Sequence, residues 1–129
     1  MHLHAALITL LTVLLNALAV YLVGAARGKF KVSAPAITGN ADFERVFRAH
    51  QNTLEQTVMF LPVLWLACLY GNEQWAIWAG YAWLLGRLMY LFGYIREAGK
   101  RSQGFLLAAL SWIVLVGLAL VGLVPKLLA

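Results

Sequence analysis

Long stretches without a charged residue constrain this sequence more than any other feature. Residues 3–26 contain no Asp, Glu, Lys or Arg, and they exceed the roughly 20 residues that a helix needs to cross a bilayer. A second uncharged stretch covers residues 105–124. The first stretch lacks the basic start of a cleaved signal peptide and is longer than its apolar part. We therefore expect both stretches to be membrane-spanning helices.

Composition supports a membrane protein. Of the 129 residues, 63% are hydrophobic and 12% charged, whereas only about half of a soluble domain is apolar. The surplus apolar surface must face lipid or partner subunits. The net charge of +5 also occurs in nucleic-acid-binding proteins, but here Lys and Arg lie between apolar stretches rather than on a soluble face. We predict one membrane domain over residues 1–129 and no nucleic-acid partner.

Two further stretches are apolar but interrupted by polar residues. The second span is predicted over residues 43–70, where Pro62 is tolerable because neighbouring helices can satisfy the backbone groups that it frees. The third span is predicted over residues 75–94, and turn-forming residues in 27–42 and 71–74 separate the spans. The predicted fold is an all-α integral membrane protein, a bundle of four transmembrane helices.

Basic residues in the loops indicate the orientation of the spans. The first loop contains Arg27, Lys29 and Lys31, the third contains Arg96, Lys100 and Arg101, and the second contains neither Lys nor Arg. Cytoplasmic loops of multi-pass proteins carry an excess of Lys and Arg. We therefore expect loops one and three in the cytoplasm and both termini in the periplasm. The short chain, without a eukaryotic retention signal at its end, favours a bacterial inner membrane.

Polar side chains inside two predicted spans mark a candidate site. Their spacing is i, i+4 and i+7 in the second span and i, i+3 and i+7 in the third, so each set lies on one helical face. The two sets are Arg48, Asn52 and Glu55, and Arg87, Tyr90 and Tyr94. Charged groups inside a span are costly and are therefore candidates for function. We expect the two faces to meet near the cytoplasmic surface.

Each of these residues also has a structural interpretation. Arg48 and Glu55 could neutralise each other, and Tyr90 and Tyr94 could belong to the aromatic belt at the membrane interface. Arg87 has no acidic partner at i±3 or i±4 in its own helix, so it needs a counter-ion such as Glu55 or a ligand carboxylate. The set as a whole exceeds what folding requires and favours a binding site.

This set of side chains suits a small zwitterion with more than one carboxylate. Arginine binds carboxylates through paired hydrogen bonds, Glu55 can pair with an ammonium group, and Asn52 and the tyrosines can bond to amides. Glutathione has all three kinds of group. A cation near its sulfur would favour the thiolate, which is the nucleophilic form.

Histidine and cysteine give weaker signals. His50 points away from the polar face of its helix, so a general base and a structural or subunit-contact role both stay open. His2 and His4 have no nearby carboxylate in the sequence and make a poor metal site. The single Cys68 cannot form an intrachain disulfide. We predict no metal.

A motif at the start of the second span resembles the hallmark of a known family. Residues 43–55 read FERVFRAHQNTLE, with the core R-A-H-x-N-x-x-E, and residues 31–33, 87–94 and Arg101 extend the similarity along nearly the whole chain. The sequence resembles the MAPEG family, the membrane-associated proteins in eicosanoid and glutathione metabolism. Within it, the chain is similar to the branch of bacterial microsomal glutathione transferases and leukotriene C synthase.

The resemblance implies a four-helix protomer in a homotrimer, with glutathione bound as co-substrate between adjacent subunits near the cytoplasmic face. It also implies a set of glutathione-binding residues: Arg27, Arg48, His50, Asn52, Glu55, Arg87, Tyr90 and Tyr94. Arg101 resembles the family's thiolate-stabilising arginine and is the implied catalytic residue, although its position alone indicates a solvated loop charge. Two departures, Gln56 for a tyrosine and Gly28 for a second arginine, would affect ligand affinity or electrophile choice.

The expected function is that of a membrane-bound glutathione transferase acting on lipophilic electrophiles. Glutathione peroxidase activity toward lipid hydroperoxides is a further reaction that the same thiolate could support. A non-catalytic lipid-binding scaffold of the same family is one alternative, against which the complete polar set argues. A small four-span exporter that uses the intramembrane Glu55 is another, although the polar cluster lies near one face rather than at the midplane.

Overall fold

The structure, a computed structural model, describes all 129 residues and is helical throughout. Its helices are α1 (Leu3–Phe30), α2 (Ala41–Tyr70), α3 (Glu73–Arg96) and α4 (Ser102–Leu128), and a 3-10 turn at Ala98–Arg101 precedes α4. The predicted all-α fold of four helices is confirmed. Each helix extends a few residues past its predicted span, because helical hydrogen bonding continues beyond the apolar stretch.

Three helical segments have the length and apolar composition of a membrane span. They are Leu3–Phe30, Ala41–Tyr70 and Ala98–Leu128. The third predicted span, α3, does not reach that composition, since it carries three tryptophans, three tyrosines and Arg87. It also buries nine of its 24 residues, a larger share than any other helix buries. A helix that packs against other helices can carry more polar groups than one that faces lipid.

Asparagine side chains cap the two inner helices. The Oδ1 atom of Asn40 accepts a hydrogen bond of 3.0 Å from the backbone N–H of Phe43, at the start of α2. Asn72 does the same for Trp75 at the start of α3, at 3.1 Å. Each cap satisfies a backbone donor that has no partner within the helix. The caps therefore fix where α2 and α3 begin.

Hydrogen bonds between side chains join α1 to α2 inside the bundle. Asn16 Nδ2 donates to Thr57 Oγ1 at 2.9 Å, and Trp65 Nε1 donates to Thr9 Oγ1 at 2.9 Å. Polar side chains within a span are stabilised by such partners on neighbouring helices. These bonds therefore fix the rotation of α2 about its axis and, with it, the direction of its polar face.

Glycines bring α3 and α4 into backbone contact. A Cβ atom added at Gly86 would lie 2.7 Å from the backbone nitrogen of Ala108 and 2.9 Å from the carbonyl oxygen of Gly104. A Cβ atom at Gly104 would collide with the backbone nitrogen of Tyr90. Small residues allow this close approach of helices in membranes. The contact places the start of α4 beside the end of α3, where the candidate site residues lie.

We expect Gly104→Ala to lower the melting temperature of the detergent-solubilised protein, because the added methyl group must displace the backbone of α3. Overpacking of this kind typically costs about 1–3 kcal/mol. Gly117→Ala is the matched control in the same helix, since no atom lies within 4 Å of its added Cβ and alanine favours helix over glycine. Equal melting temperatures for the two variants would contradict the backbone contact.

Candidate functional site

A groove with a volume of about 780 Å³ opens between α2, α3 and the start of α4. Its walls consist of Arg48, Gln51, Asn52 and Glu55 from α2, Tyr90 and Tyr94 from α3, and Arg101, Ser102, Phe105 and Leu106 from the turn and α4. Most of the lining is polar, and the α4 side ends in the two apolar residues. The structure therefore combines a charged pocket with an apolar edge.

Six of the predicted site residues line this groove together. They are Arg48, Asn52, Glu55, Tyr90, Tyr94 and Arg101. The polar face predicted on the second span thus lies opposite the polar face predicted on the third, as their spacing indicated. Gln51 also lines the groove and was missed, although its position three residues after Arg48 and four before Glu55 places it on the same face.

Arg101 reaches the groove because of the turn that precedes α4. Residues Ala98–Arg101 form a 3-10 turn, and the guanidinium carbon of Arg101 lies 4.8 Å from the centroid of the Tyr94 ring. A guanidinium over an aromatic ring is attracted to its π face. This contact holds the cation in the wall of the groove rather than free in the loop. Ser102, Phe105 and Leu106 also line the groove, and no motif or spacing in the sequence indicated that they would.

The charges of Arg48 and Glu55 do not neutralise each other. The ion pairs of the structure join Asp42 with Arg45 and Glu97 with Lys100, and the carboxylate of Glu73 is bonded to His2. Both Arg48 and Glu55 are exposed in the groove wall. A cation and an anion are therefore available to a ligand at this site.

Arg87 lies behind the groove instead of lining it. Its side chain is 0% exposed, and Nη2 donates to Asn52 Oδ1 at 2.9 Å and to Thr53 Oγ1 at 2.8 Å. Its guanidinium carbon also lies 4.0 Å from the centroid of the Tyr90 ring. The sequence indicated Glu55 or a ligand carboxylate as its counter-ion. Within the chain, neutral oxygens and a π face contact the guanidinium, and Glu55 does not.

The two tyrosines form a packed pair. Their ring centroids are 5.6 Å apart with the ring planes at 79°, which is the favoured edge-to-face arrangement. Tyr90 is buried and its ring lies 6.4 Å from that of Phe105 on α4. Arg87 and Arg101 contact opposite members of this pair. The pair therefore links the buried cation to the cation in the groove wall.

Two further predicted ligand residues lie outside the groove. Arg27 donates from Nη1 to the carbonyl oxygens of Val32 at 3.1 Å and Ala36 at 2.8 Å, and its guanidinium lies over the ring of Phe43. It thereby holds the loop between α1 and α2. His50 is half-buried on a different face of α2 from the groove residues, as its position in the helix predicted.

The remaining histidines lie near the opposite end of the bundle. His2 Nδ1 is 2.9 Å from Glu73 Oε1, and His4 Nδ1 is 2.9 Å from the Tyr81 hydroxyl. No group of three His, Cys, Asp or Glu side chains is close enough to hold a metal ion. The contacts of these histidines are therefore interhelical bonds between α1 and α3.

Comparison with known proteins gives a consistent family match. The model of the MAPEG family matches residues 5–121. The chain is similar to an uncharacterized protein of Synechocystis sp., 48% identical over 95% of this chain and 89% of the relative. It is also 43% identical to microsomal glutathione S-transferase 2 of Homo sapiens, over 75% of this chain and 69% of the relative. It is 40% identical to leukotriene C4 synthase of Bos taurus, over 94% of this chain and 81% of the relative. The matched residues include the whole groove.

We expect Arg27→Ala to increase hydrogen exchange of the backbone amides in residues 31–40, because two loop carbonyls lose their donor and Phe43 loses its stacked cation. Lys29→Ala is the matched control, since Lys29 is an exposed cation on the same helix whose contact is with the adjacent Phe30 ring. Exchange measured by mass spectrometry should rise in the first variant only. Equal protection of the loop in both would show that Arg27 does not hold it.

Proposed function

Because the chain belongs to the MAPEG family, we propose that it is a membrane-bound glutathione transferase that conjugates glutathione to lipophilic electrophiles. The groove carries this proposal: guanidinium, carboxylate, amide and phenol groups face one space, and none of the charged ones is in an ion pair. Relatives named as a glutathione S-transferase and a leukotriene C4 synthase support it.

The groove residues complement the functional groups of glutathione. Arg48 can hold a carboxylate through a forked pair of hydrogen bonds, and Glu55 can pair with the ammonium group. The carboxamide of Asn52 and the phenols of Tyr90 and Tyr94 can bond to the peptide groups. A volume of about 780 Å³ is within the usual range of small-molecule sites.

We assign the thiolate-stabilising role to Arg101. Its cation lies at the junction between the polar wall and the apolar edge made by Phe105 and Leu106, where a sulfur and a lipid-soluble reactant would meet. Stabilising the thiolate at this point increases the fraction of glutathione that is in the nucleophilic form. The reaction then needs no enzyme-bound covalent intermediate. The sulfur forms a bond to the electrophilic carbon, whose displaced electron pair goes to the leaving group or, in an epoxide, to oxygen. Holding both reactants in place supplies the rest of the rate enhancement.

The same thiolate supports a glutathione-dependent peroxidase reaction. Two glutathione molecules reduce one lipid hydroperoxide to the alcohol and water and are oxidised together to the disulfide. The reduction needs no redox group on the protein, because the thiols provide both electrons. The apolar edge of the groove suits such a lipid substrate as well as an electrophile.

We further propose that the protein is a homotrimer with sites between adjacent subunits, as the resemblance implies. Arg27 and His50 do not line the groove of their own protomer, and in this arrangement they contribute from the neighbouring subunit. The whole chain forms one membrane domain in which α3 also crosses the bilayer. The basic residues of the first and third loops support a groove near the cytoplasmic face of a bacterial inner membrane, with both termini in the periplasm.

We expect Arg101→Ala to abolish the thiolate absorbance that develops when wild-type protein in detergent is titrated with glutathione. The turnover number should fall about 100-fold, the scale seen when one transition-state donor is removed, while glutathione affinity changes less. Lys100→Ala is the matched control, because Lys100 is the adjacent exposed cation, pairs with Glu97 and does not line the groove.

The control variant should keep both thiolate formation and turnover. Unchanged turnover in Arg101→Ala would remove this residue from the mechanism. Wild-type protein that shows no saturable glutathione binding would exclude the transferase and favour the lipid-binding scaffold or the exporter. Two-sided transport of a substrate by vesicles containing the protein would identify the exporter.

A further inference from the structure

The orientation of the Asn52 carboxamide follows from the chemistry of its partner. Arginine has only N–H donors and no acceptor, so the carboxamide atom that faces Arg87 must be the oxygen. The structure has this arrangement, with Arg87 Nη2 donating to Asn52 Oδ1 at 2.9 Å. The amino group, on the other branch of the carboxamide, must therefore point elsewhere.

The amino group of Asn52 has no partner within the chain. Asn52 is half-buried in the groove wall. Its single side-chain hydrogen bond is the one that Oδ1 accepts, and Nδ2 is not among the buried polar atoms that lack a partner. Nδ2 is therefore an accessible donor in the lining of the groove.

Arg87 is itself held so that it cannot turn away from Asn52. The guanidinium is 0% exposed, and its Nη2 group also donates to Thr53 Oγ1 at 2.8 Å. The face of the Tyr90 ring covers it at 4.0 Å. A planar group fixed by bonds to two adjacent residues of α2 and by an aromatic face has one orientation available. Through its hydrogen bond to Oδ1, it also fixes the orientation of the Asn52 carboxamide.

We propose that Arg87 is a positioning residue that sets the ligand specificity of Asn52. It keeps the amino group of Asn52 directed into the groove, so that this position donates to a carboxylate or carbonyl oxygen of the ligand. The inference rests on the proposed binding of glutathione. It differs from the direct contact that the family resemblance implies, because a side chain with no exposed surface acts through the residue it touches.

Asn52→Asp tests the direction of the donor without removing the partner of Arg87. One carboxylate oxygen still accepts from Arg87, and the acceptor of that bond is now charged as well as the donor, so the melting temperature should stay the same or rise. The groove-facing donor becomes an acceptor. The KM for glutathione should therefore rise about 10-fold or more, with a smaller change in kcat.

A change of ligand preference is the sharper result of the same substitution. Glutathione analogues with either carboxylate converted to a carboxamide present an N–H group where glutathione presents oxygen. Asn52→Asp should lose less affinity for one of these analogues than for glutathione. Gln51→Glu is the matched control: it adds the same charge to the same wall away from Arg87, and should show no comparable preference for that analogue.

A double-mutant cycle tests whether Arg87 acts through Asn52. Arg87→Met and Asn52→Ala should each raise the KM for glutathione, and Arg87→Met should add less than about twofold when Asn52 is already alanine. Should Arg87→Met fail to fold, Arg87→Lys takes its place in the cycle.

The possible outcomes separate this inference from the proposed function. Additive effects in the cycle, or an Asn52→Asp variant with the ligand preference of the wild type, would overturn the positioning role while leaving the transferase in place. Wild-type protein whose rate does not depend on glutathione would overturn both. Non-additive effects together with the altered preference would establish the role of Arg87.

Discussion

Arg87 is shielded from solvent on all sides, yet no carboxylate forms an ion pair with it. A charge inside a membrane protein requires compensation, and here two oxygens of α2 and the ring of Tyr90 provide it. Because the oxygens belong to adjacent residues, α2 must present Asn52 and Thr53 to α3 at one depth. These contacts with the buried cation, whose Nε atom has no partner within the chain, fix the direction of the polar face of α2 and with it the groove.

The second constraint is the separation of α3 and α4. Gly86 and Gly104 allow the two backbones to touch, and this contact fixes how far the start of α4 lies from the tyrosine pair. Arg101 reaches the ring of Tyr94 only because that distance is short. The glycines therefore contribute to the site without contacting a ligand. Arg87 thus fixes how α2 faces α3, and the glycines fix how close α4 lies to α3.

Periodicity predicted the helices and the side chains that share a helical face. The residues Arg48, Asn52 and Glu55 meet Tyr90 and Tyr94 as their spacing indicated. Spacing could not show that Arg101 enters the groove, because that depends on a 3-10 turn and on the α3–α4 contact. Because Arg87 has no acidic residue at i±3 or i±4, we expected Glu55 or a ligand carboxylate as its counter-ion, and no pattern in the sequence indicates the Asn52 and Thr53 oxygens that contact it within the chain. The aromatic residues of α3 also keep its hydropathy below that of the three helical segments that have the composition of a membrane span.

In the proposed transferase reaction, the apolar edge formed by Phe105 and Leu106 affects how the rate depends on the concentration of the lipophilic substrate. A reactant that enters past these side chains comes from the lipid phase, so the concentration that matters is its mole fraction in the membrane. Adding lipid or detergent at constant total substrate dilutes that mole fraction and slows the reaction, although the concentration in the sample is unchanged. Glutathione, which enters from water, is not diluted in this way. The rate of the proposed reaction thus depends on the mole fraction of one substrate in the membrane and on the aqueous concentration of the other.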